Sequence, residues 1–234
     1  MKKKVTLLLF WICVSFISAA EGAVIKGVIR FEGTPLAPKP INFGAERQCA
    51  EYHAEKPAFY EEIVVNPNGT LRWALVYVKE GVSGEFKAPE IPVVIDQTGC
   101  IFVPHAAGVL AGQPVLFKNS DALLHNVRNV AKETATFNIA QPIQGMTTKH
   151  FFDQPEIGIQ LKCDVHYWMS AFLHVLPHPF FSITDEEGKF EITGLPAGTY
   201  TVEVWHEKLG IQAETVTVEE GKPANLEVFF GSVS

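Results

Sequence analysis

The sequence predicts an all-β protein built from two β-sandwiches, and two observations support this fold class. Eighteen glycines and fifteen prolines interrupt the chain, and few segments have the periodicity of an amphipathic helix. From residue 180 onward, short alternating segments recur at even spacing with turn residues between them. That pattern is typical of antiparallel sandwiches.

Alternating and β-branched segments locate the individual strands. Strands are predicted at residues 24–31, 71–79, 114–118, 134–139, 158–163, 171–176, 180–184, 189–192, 199–205, 214–218 and 225–230. Residues 45–53 lack strand character and are predicted to form either a short helix or an irregular loop. We expect Ile157, Ile159, Leu161 and Cys163 to share one face, which would give the Cys163 sulfur a dry, packed position.

The first twenty residues have the form of a secretory signal peptide. Three lysines at positions 2–4 precede an apolar run that ends at Ile17, and the small residues 18–20 follow it. The run is short for a membrane span. We therefore expect residues 1–20 to be removed, Cys13 among them. The mature protein would be periplasmic or secreted, without stable insertion in a membrane.

The mature chain is acidic. Residues 1–20 carry three lysines and no acidic residue, so their loss takes the formal net charge from −7 to about −10. This charge argues against nucleic acid as a partner, because phosphates require a basic face. It permits docking to a protein with a basic patch, although an acidic surface also keeps an exported protein soluble.

Three cysteines remain after cleavage: Cys49, Cys100 and Cys163. An odd number in an oxidising compartment leaves one that is unpaired, joined to another chain or bound to a metal. Cys163 begins the segment CDVHYWM at residues 163–169, and the pair His125-Asn126 lies upstream. One thiolate, two imidazoles and a weak thioether form the ligand set of a blue-copper site. The alternatives are a buried structural thiol beside surface histidines, or zinc, for which methionine is a poor ligand.

These motifs resemble those of the cupredoxin family, and the Cys-x-x-His-x-x-Met loop is similar to that of amicyanins. The resemblance covers residues 93–176 and implies a Greek-key β-sandwich that holds one copper ion. The implied metal ligands are His125, Cys163, His166 and Met169. By the same resemblance Asn126 braces the ligand loop, and electrons enter and leave through the surface-exposed ring edge of His166, while His125 lies deeper.

Related copper sites fit the sequence less well. A binuclear site would require a second cysteine in the ligand loop, and only Cys163 is present there. Multicopper oxidases and copper nitrite reductases place a histidine beside the cysteine, where this chain has Lys162 and Asp164. The sequence therefore favours a single mononuclear site.

Once Cys163 is assigned to the metal, Cys49 and Cys100 remain, and export predicts a disulfide between them rather than two separate thiols.

Tyr167 and Trp168, inside the ligand loop, could form an apolar docking rim or pack against the neighbouring domain. Three further histidines could form a second metal site, but we expect hydrogen-bonded structural side chains. They are His105, His178 and His206.

Residues 180–230 resemble the transthyretin-like, carboxypeptidase regulatory-type domain, through TDEEGKF at 184–190 and LPAGTY at 195–200. The segments 24–31 and 33–36 resemble the usual opening of that domain. The predicted parts are a signal peptide at 1–20, N-terminal strands at 24–92, a cupredoxin domain at 93–177 and a transthyretin-like β domain at 178–234. Residues 24–92 and 178–234 would together form one sandwich. The arrangement resembles proteins labelled as methylamine-utilisation proteins.

The sequence thus predicts an exported type 1 copper protein that carries single electrons to a redox partner with a basic docking face. It shows no pairing of nucleophile and base that would indicate an enzyme. One alternative is a copper-holding or structural module whose metal does not cycle. Another is an adhesion or carbohydrate-binding sandwich in which Cys163 has no special role.

Overall fold

The computed structural model describes residues 22–231, and the predicted signal peptide lies outside them. This part of the chain is nearly all β, and none of its helices has the length and hydrophobicity needed to cross a membrane. The elements are β1 (Ala23–Glu32), α1 (Arg47–Tyr52), β2 (Leu75–Glu80), β3 (Val93–Thr98), β4 (Ile101–Val103), β5 (Ala106–Leu110), β6 (Pro114–Asn119), β7 (His125–Val130), β8 (Asn138–Gln141), β9 (Thr147–Phe151), β10 (Glu156–Lys162), β11 (Ser170–Leu176), β12 (Phe181–Ile183), β13 (Lys189–Leu195), β14 (Gly198–His206), β15 (Gly210–Val218) and β16 (Pro223–Gly231).

The middle of the chain forms a sandwich of two sheets. One sheet has the strand order β5-β11-β10-β7-β8 and the other has the order β4-β3-β6-β9. The pairs β5–β11 and β3–β6 are parallel. The fully buried side chains of Phe117, Val127, Ile159 and Leu173 belong to the core between the sheets. Apolar residues on the inner face of each strand form this core, as the alternation of side chains along a strand requires.

The two ends of the chain form the second sandwich. One sheet has the order β13-β1-β16 and the other the order β12-β2-β14-β15. The central strand β1 pairs in parallel with β16, from Val24 opposite Pro223 to Glu32 opposite Gly231. Ile25, Val76 and Val202 are buried in the shared core. The N-terminal segment thus supplies one strand to each sheet. The predicted fold class, all-β with two β-sandwiches, is confirmed.

The two sandwiches pack directly against each other. Phe172 and His174 lie on the outer face of β11, and their rings contact Trp205 of β14 at centroid distances of 5.3 and 4.8 Å. A Cβ atom on Gly108 of β5 would lie 2.3 Å from the ring of Phe181. The absence of a side chain at Gly108 therefore permits the close approach of the two sheets.

Residues 45–53, which the sequence left undecided, contain the short helix α1. A helix of six residues is not stable alone. Cys49, which is fully buried, anchors this helix to the rest of the protein. Cys49 forms a disulfide with Cys100, with an S–S distance of 2.07 Å. The ring of Phe43 packs edge-on against Trp168 at 5.4 Å. We call residues 39–60 the cap, because this segment covers one end of the first sandwich.

Several strands differ from their predicted bounds for local reasons. The strand predicted at 71–79 begins only at Leu75, because Trp73 has a positive φ of 66°. The strand predicted at 134–139 begins at Asn138. The amide of Thr134 donates to the Glu156 carboxylate, and the backbone groups of Ala135 and Phe137 bond to the side chain of Asn129. The predicted strands do not include β3, β4, β5, β7 or β9. In β9 the residues, TTKHF, are largely polar and lack the alternation of a strand.

The expected alignment of four residues along β10 is wrong at one position. Ile159, Leu161 and Cys163 face the core of the first sandwich. Ile157 instead packs with Leu75, Tyr77 and Leu176 between the two sandwiches. The register of β10 shifts between Glu156 and Ile159, where Gly158 has a φ of +78°. This bulge turns Ile157 to the other face of the sheet.

Candidate metal centre

Neighbouring strands bring the predicted ligands to one end of the first sandwich. Cys163 follows the last residue of β10, and Met169 precedes the first residue of β11. The amide of Met169 donates to the carbonyl oxygen of His166 at 2.9 Å, which closes the loop between these strands. His125 is the first residue of β7, and β7 pairs with β10.

Donor atoms of three predicted ligands converge. His125 Nδ1 and His166 Nδ1 are 2.9 Å apart, and Cys163 Sγ lies 3.9 Å from His166 Nδ1. One ligand atom from each of the three residues falls within 4.8 Å of the others. All three side chains are buried, with exposures of 0 to 2%. Met169 is also buried and belongs to the same core cluster as Cys163. This donor set, one thiolate, two imidazoles and a thioether, fits a copper ion.

Asn126 connects β7 to the ligand loop. Its Oδ1 accepts a hydrogen bond from the backbone amide of Asp164 at 2.7 Å and lies 3.3 Å from Cys163 Sγ. Its Nδ2 donates to Asn138 Oδ1 at 2.7 Å on the adjacent strand β8. The side chain therefore holds the thiol-bearing end of the loop against two strands of the sheet.

The surroundings of Cys163 favour its thiolate. Burial alone would raise the pKa of the thiol, but hydrogen bonds with His125 and His166 outweigh burial and lower the pKa to about 6. The backbone amide of His166 also points at the sulfur, at 3.4 Å. A thiolate is the form of cysteine that binds a metal ion, so the site presents this ligand at neutral pH.

Asp121, a residue outside the predicted ligand set, contacts His125. Its Oδ2 lies 2.9 Å from His125 Nε2, and the carboxylate is only 4% exposed. Burial raises the pKa of Asp121, but hydrogen bonds from His125 and from the backbone amides of Cys100 and Gly99 lower it overall. Its spacing of four residues before His125 is the only sequence signal, and it is a weak one.

The prediction that His166 reaches the surface through its ring edge is wrong. His166 is 2% exposed and Trp168 is 6% exposed, because the cap covers this end of the sandwich. Trp168 Nε1 donates to the carbonyl oxygen of Cys100, at 2.9 Å. Tyr167 is 71% exposed. Of the two aromatic residues, Trp168 packs inside the molecule, while Tyr167 is available at the surface.

The three additional histidines have protein partners. His105 Nε2 pairs with Glu207 Oε1 across the two sandwiches. His178 Nε2 donates to the carbonyl oxygen of Val78 at 2.9 Å, and His206 Nδ1 accepts from the amide of Lys208 at 3.3 Å. Within residues 22–231, none of them belongs to a group of three metal-ligating side chains.

Comparisons with known proteins give one match to a family model and several matches to solved structures. The sequence model of the carboxypeptidase regulatory-like domain matches residues 179–230, which confirms the predicted resemblance of the C-terminal part. A search of curated proteins finds no match to this chain.

Among solved structures, the matches include copper proteins. The copper-containing nitrite reductase from Thermus scotoductus SA-01 is 21% identical, at a TM-score of 0.35, over 41% of this chain and 25% of that protein. A purple cupredoxin from Nitrosopumilus maritimus is 18% identical at a TM-score of 0.31, over 36% of this chain and 98% of that one. An oxidised amicyanin variant is 17% identical at a TM-score of 0.33, over 49% and 98%. At these TM-scores the argument for a metal rests on the site geometry alone.

Proposed function

We propose that this protein binds one copper ion through His125, Cys163, His166 and Met169 and acts as an exported one-electron carrier. The observation that carries the proposal is the convergence of one sulfur and two imidazole nitrogens within 4.8 Å in a buried site. Soft sulfur ligands combined with imidazoles suit Cu(I) and Cu(II). A bound copper ion would supply one-electron redox chemistry.

The polypeptide contributes position, charge and exclusion of water. Two strands fix the ends of the ligand loop, and a third strand fixes His125. Because the pKa of Cys163 is about 6, deprotonating the thiol so that it can bind a metal ion costs little free energy at neutral pH. Ligands on rigid elements limit rearrangement between oxidation states, and this supports a carrier rather than an enzyme.

The revised route for electrons begins at Tyr167. Its ring contacts Trp168 at a centroid distance of 5.1 Å, and Trp168 contacts His166 at 5.2 Å. These three rings form a continuous aromatic path from the surface to a ligand. A partner with a basic docking face would be attracted by the net charge, near −10 after signal cleavage, so its association should slow as the salt concentration rises.

Copper loading tests the metal site. The protein loaded with Cu(II) should show an intense sulfur-to-copper charge-transfer band and an electron paramagnetic resonance signal of one copper per chain. Cys163→Ser should lose the band while it stays folded. His150→Gln, which removes a histidine outside the site, should keep it. A serine variant with an equally intense band would refute the assignment.

A copper-holding module without redox cycling is the second candidate, and the burial of His166 favours it, because a covered ligand slows exchange with partners. Voltammetry and stopped-flow exchange with a small redox protein separate the two functions. A carrier should give a reversible couple, and Trp168→Phe should alter exchange less than Trp168→Ala. An irreversible couple, or exchange slower than copper loss, would select the copper-holding module.

A further inference from the structure

Asp121 is a buried carboxylate directly behind a predicted metal ligand. Its Oδ2 lies 2.9 Å from His125 Nε2, the ring nitrogen that faces away from Cys163 and His166. His125 Nδ1 faces the site, 2.9 Å from His166 Nδ1. The two ring nitrogens of His125 therefore have separate partners, one a carboxylate and the other the ligand cluster.

The other contacts of Asp121 fix its orientation. The amide of Gly99 donates to Oδ1 at 2.7 Å and the amide of Cys100 donates to Oδ2 at 2.8 Å. The amide of Asp121 itself donates to Asn119 Oδ1 at 2.9 Å. Both carboxylate oxygens thus receive hydrogen bonds from donors, an arrangement that stabilises the ionised form.

We propose that Asp121 is a positioning residue that holds His125 with its proton on Nε2, directs Nδ1 into the metal site and adds a buried negative charge that favours Cu(II) over Cu(I). The proposal rests on the proposed copper-binding function. It assigns Asp121 a role that neither the ligand motif nor the resemblance to cupredoxins supplied.

The physical reason lies in the hydrogen bond and in the low-dielectric surroundings. A carboxylate that accepts the proton of a ligating imidazole fixes the tautomer and ring orientation and makes the ligand more basic. Since Asp121 and His125 are both nearly inaccessible to water, the charge is poorly screened. A more basic ligand and a nearby negative charge both stabilise the higher oxidation state.

The test compares Asp121→Asn with the wild-type protein. Asparagine has a similar shape but no charge. Its NH₂ group would face a hydrogen-bond donor, either the amide of Gly99 or that of Cys100 together with His125 Nε2. We expect the affinity for Cu(II) to fall at least tenfold relative to the affinity for Cu(I). This corresponds to an upward shift of the reduction potential by at least about 59 mV. Pulsed electron paramagnetic resonance should also show an altered remote nitrogen for one of the two imidazoles, since the hydrogen bond of His125 alone has changed.

Asp153→Asn is the control. That carboxylate is exposed and lies outside the ligand loop, so its charge is screened. The control should shift the potential much less. If Asp121→Asn leaves both the potential and the remote nitrogen signal unchanged, Asp121 only supports the turn at Gly99 and Cys100, and the proposal is overturned.

Nitrogen NMR of the metal-free wild-type protein keeps the proposal testable if the variant does not fold or does not bind copper. His125 should carry a proton on Nε2, and an unprotonated Nε2 would refute the contact with ionised Asp121. If instead the wild-type protein fails to form a copper–thiolate site, the proposed function fails. The NMR result would still decide whether Asp121 holds His125.

Discussion

At the residue scale, opposing effects of burial and hydrogen bonding set the pKa of the Cys163 thiol. Burial raises the pKa of its thiol, whereas His125, His166 and nearby backbone groups lower the pKa from 9.0 to about 6. The contribution of the thiolate to folding stability is therefore fully present above pH 9.0 and is lost as the pH falls through about 6.

The first prediction concerns ionisation of Cys163 in the metal-free protein. The ultraviolet absorbance of the thiolate should reach half of its full change near pH 6. In His125→Gln the midpoint should move upward, because one stabilising hydrogen bond is lost. His150→Gln should leave the midpoint in place. A wild-type midpoint close to 9.0, the ordinary value, would contradict the geometry of the site.

At the element scale, the bulge in β10 lets one strand serve two cores. Residues after Gly158 face the interior of the first sandwich, while Ile157 packs between the sandwiches. Gly158 combines a φ of +78° with a close approach to Trp205, whose ring would lie 2.9 Å from an added Cβ. A side chain at this position thus meets both backbone strain and an aromatic ring.

The second prediction separates these two effects. Gly158→Ala should lower the free energy of unfolding by about 2–4 kcal/mol, because strain from the positive φ and overpacking against Trp205 add. Gly194→Ala is the control, since Gly194 has a φ of +79° and no atom near an added Cβ. It should cost about 1–2 kcal/mol. Equal losses in urea denaturation would show that the contact with Trp205 has no effect.

At the scale of the whole molecule, the cap and the disulfide decide how open the site is. The disulfide joins residues 51 apart in sequence, and a sulfur atom of each cysteine lies within 4.8 Å of a ring nitrogen of His166. The disulfide thereby holds the cap over His166, the ligand that the sequence predicts to reach the surface. Access to the metal site consequently depends on a segment far from the ligand loop.

The third prediction is that opening the cap exposes the site. Replacing both Cys49 and Cys100 by alanine should reduce the free energy of unfolding by about 4 kcal/mol in the loop-entropy model. Copper should also leave faster to an external chelator, because His166 becomes accessible. Thermal unfolding and chelator competition measure the two effects. Unchanged chelation kinetics in a folded double variant would show that the cap does not protect the metal.

Much of the β architecture was predictable, because alternation and turn residues are local signals. The strands from residue 180 onward follow the predicted order, and α1 falls within the segment that lacked strand character. The spacing of Cys163, His166 and Met169 already suggested one ligand loop. The strand β9 was not predictable from polarity, because the polar TTKHF segment gains its strand character from pairing with β6.

The sequence by itself determined the all-β class and the chemical nature of the candidate ligands, since both depend on residue type and short spacing. Only the tertiary structure decided that Asp121 contacts His125, that His166 is buried beneath the cap and that Ile157 leaves the core. The first two facts depend on the approach of Gly99, Cys100 and the cap, and the third depends on the bulge at Gly158 and on contact with the second sandwich. Contacts between segments that are distant in sequence leave no local pattern, because only the folded chain brings the side chains that form them together.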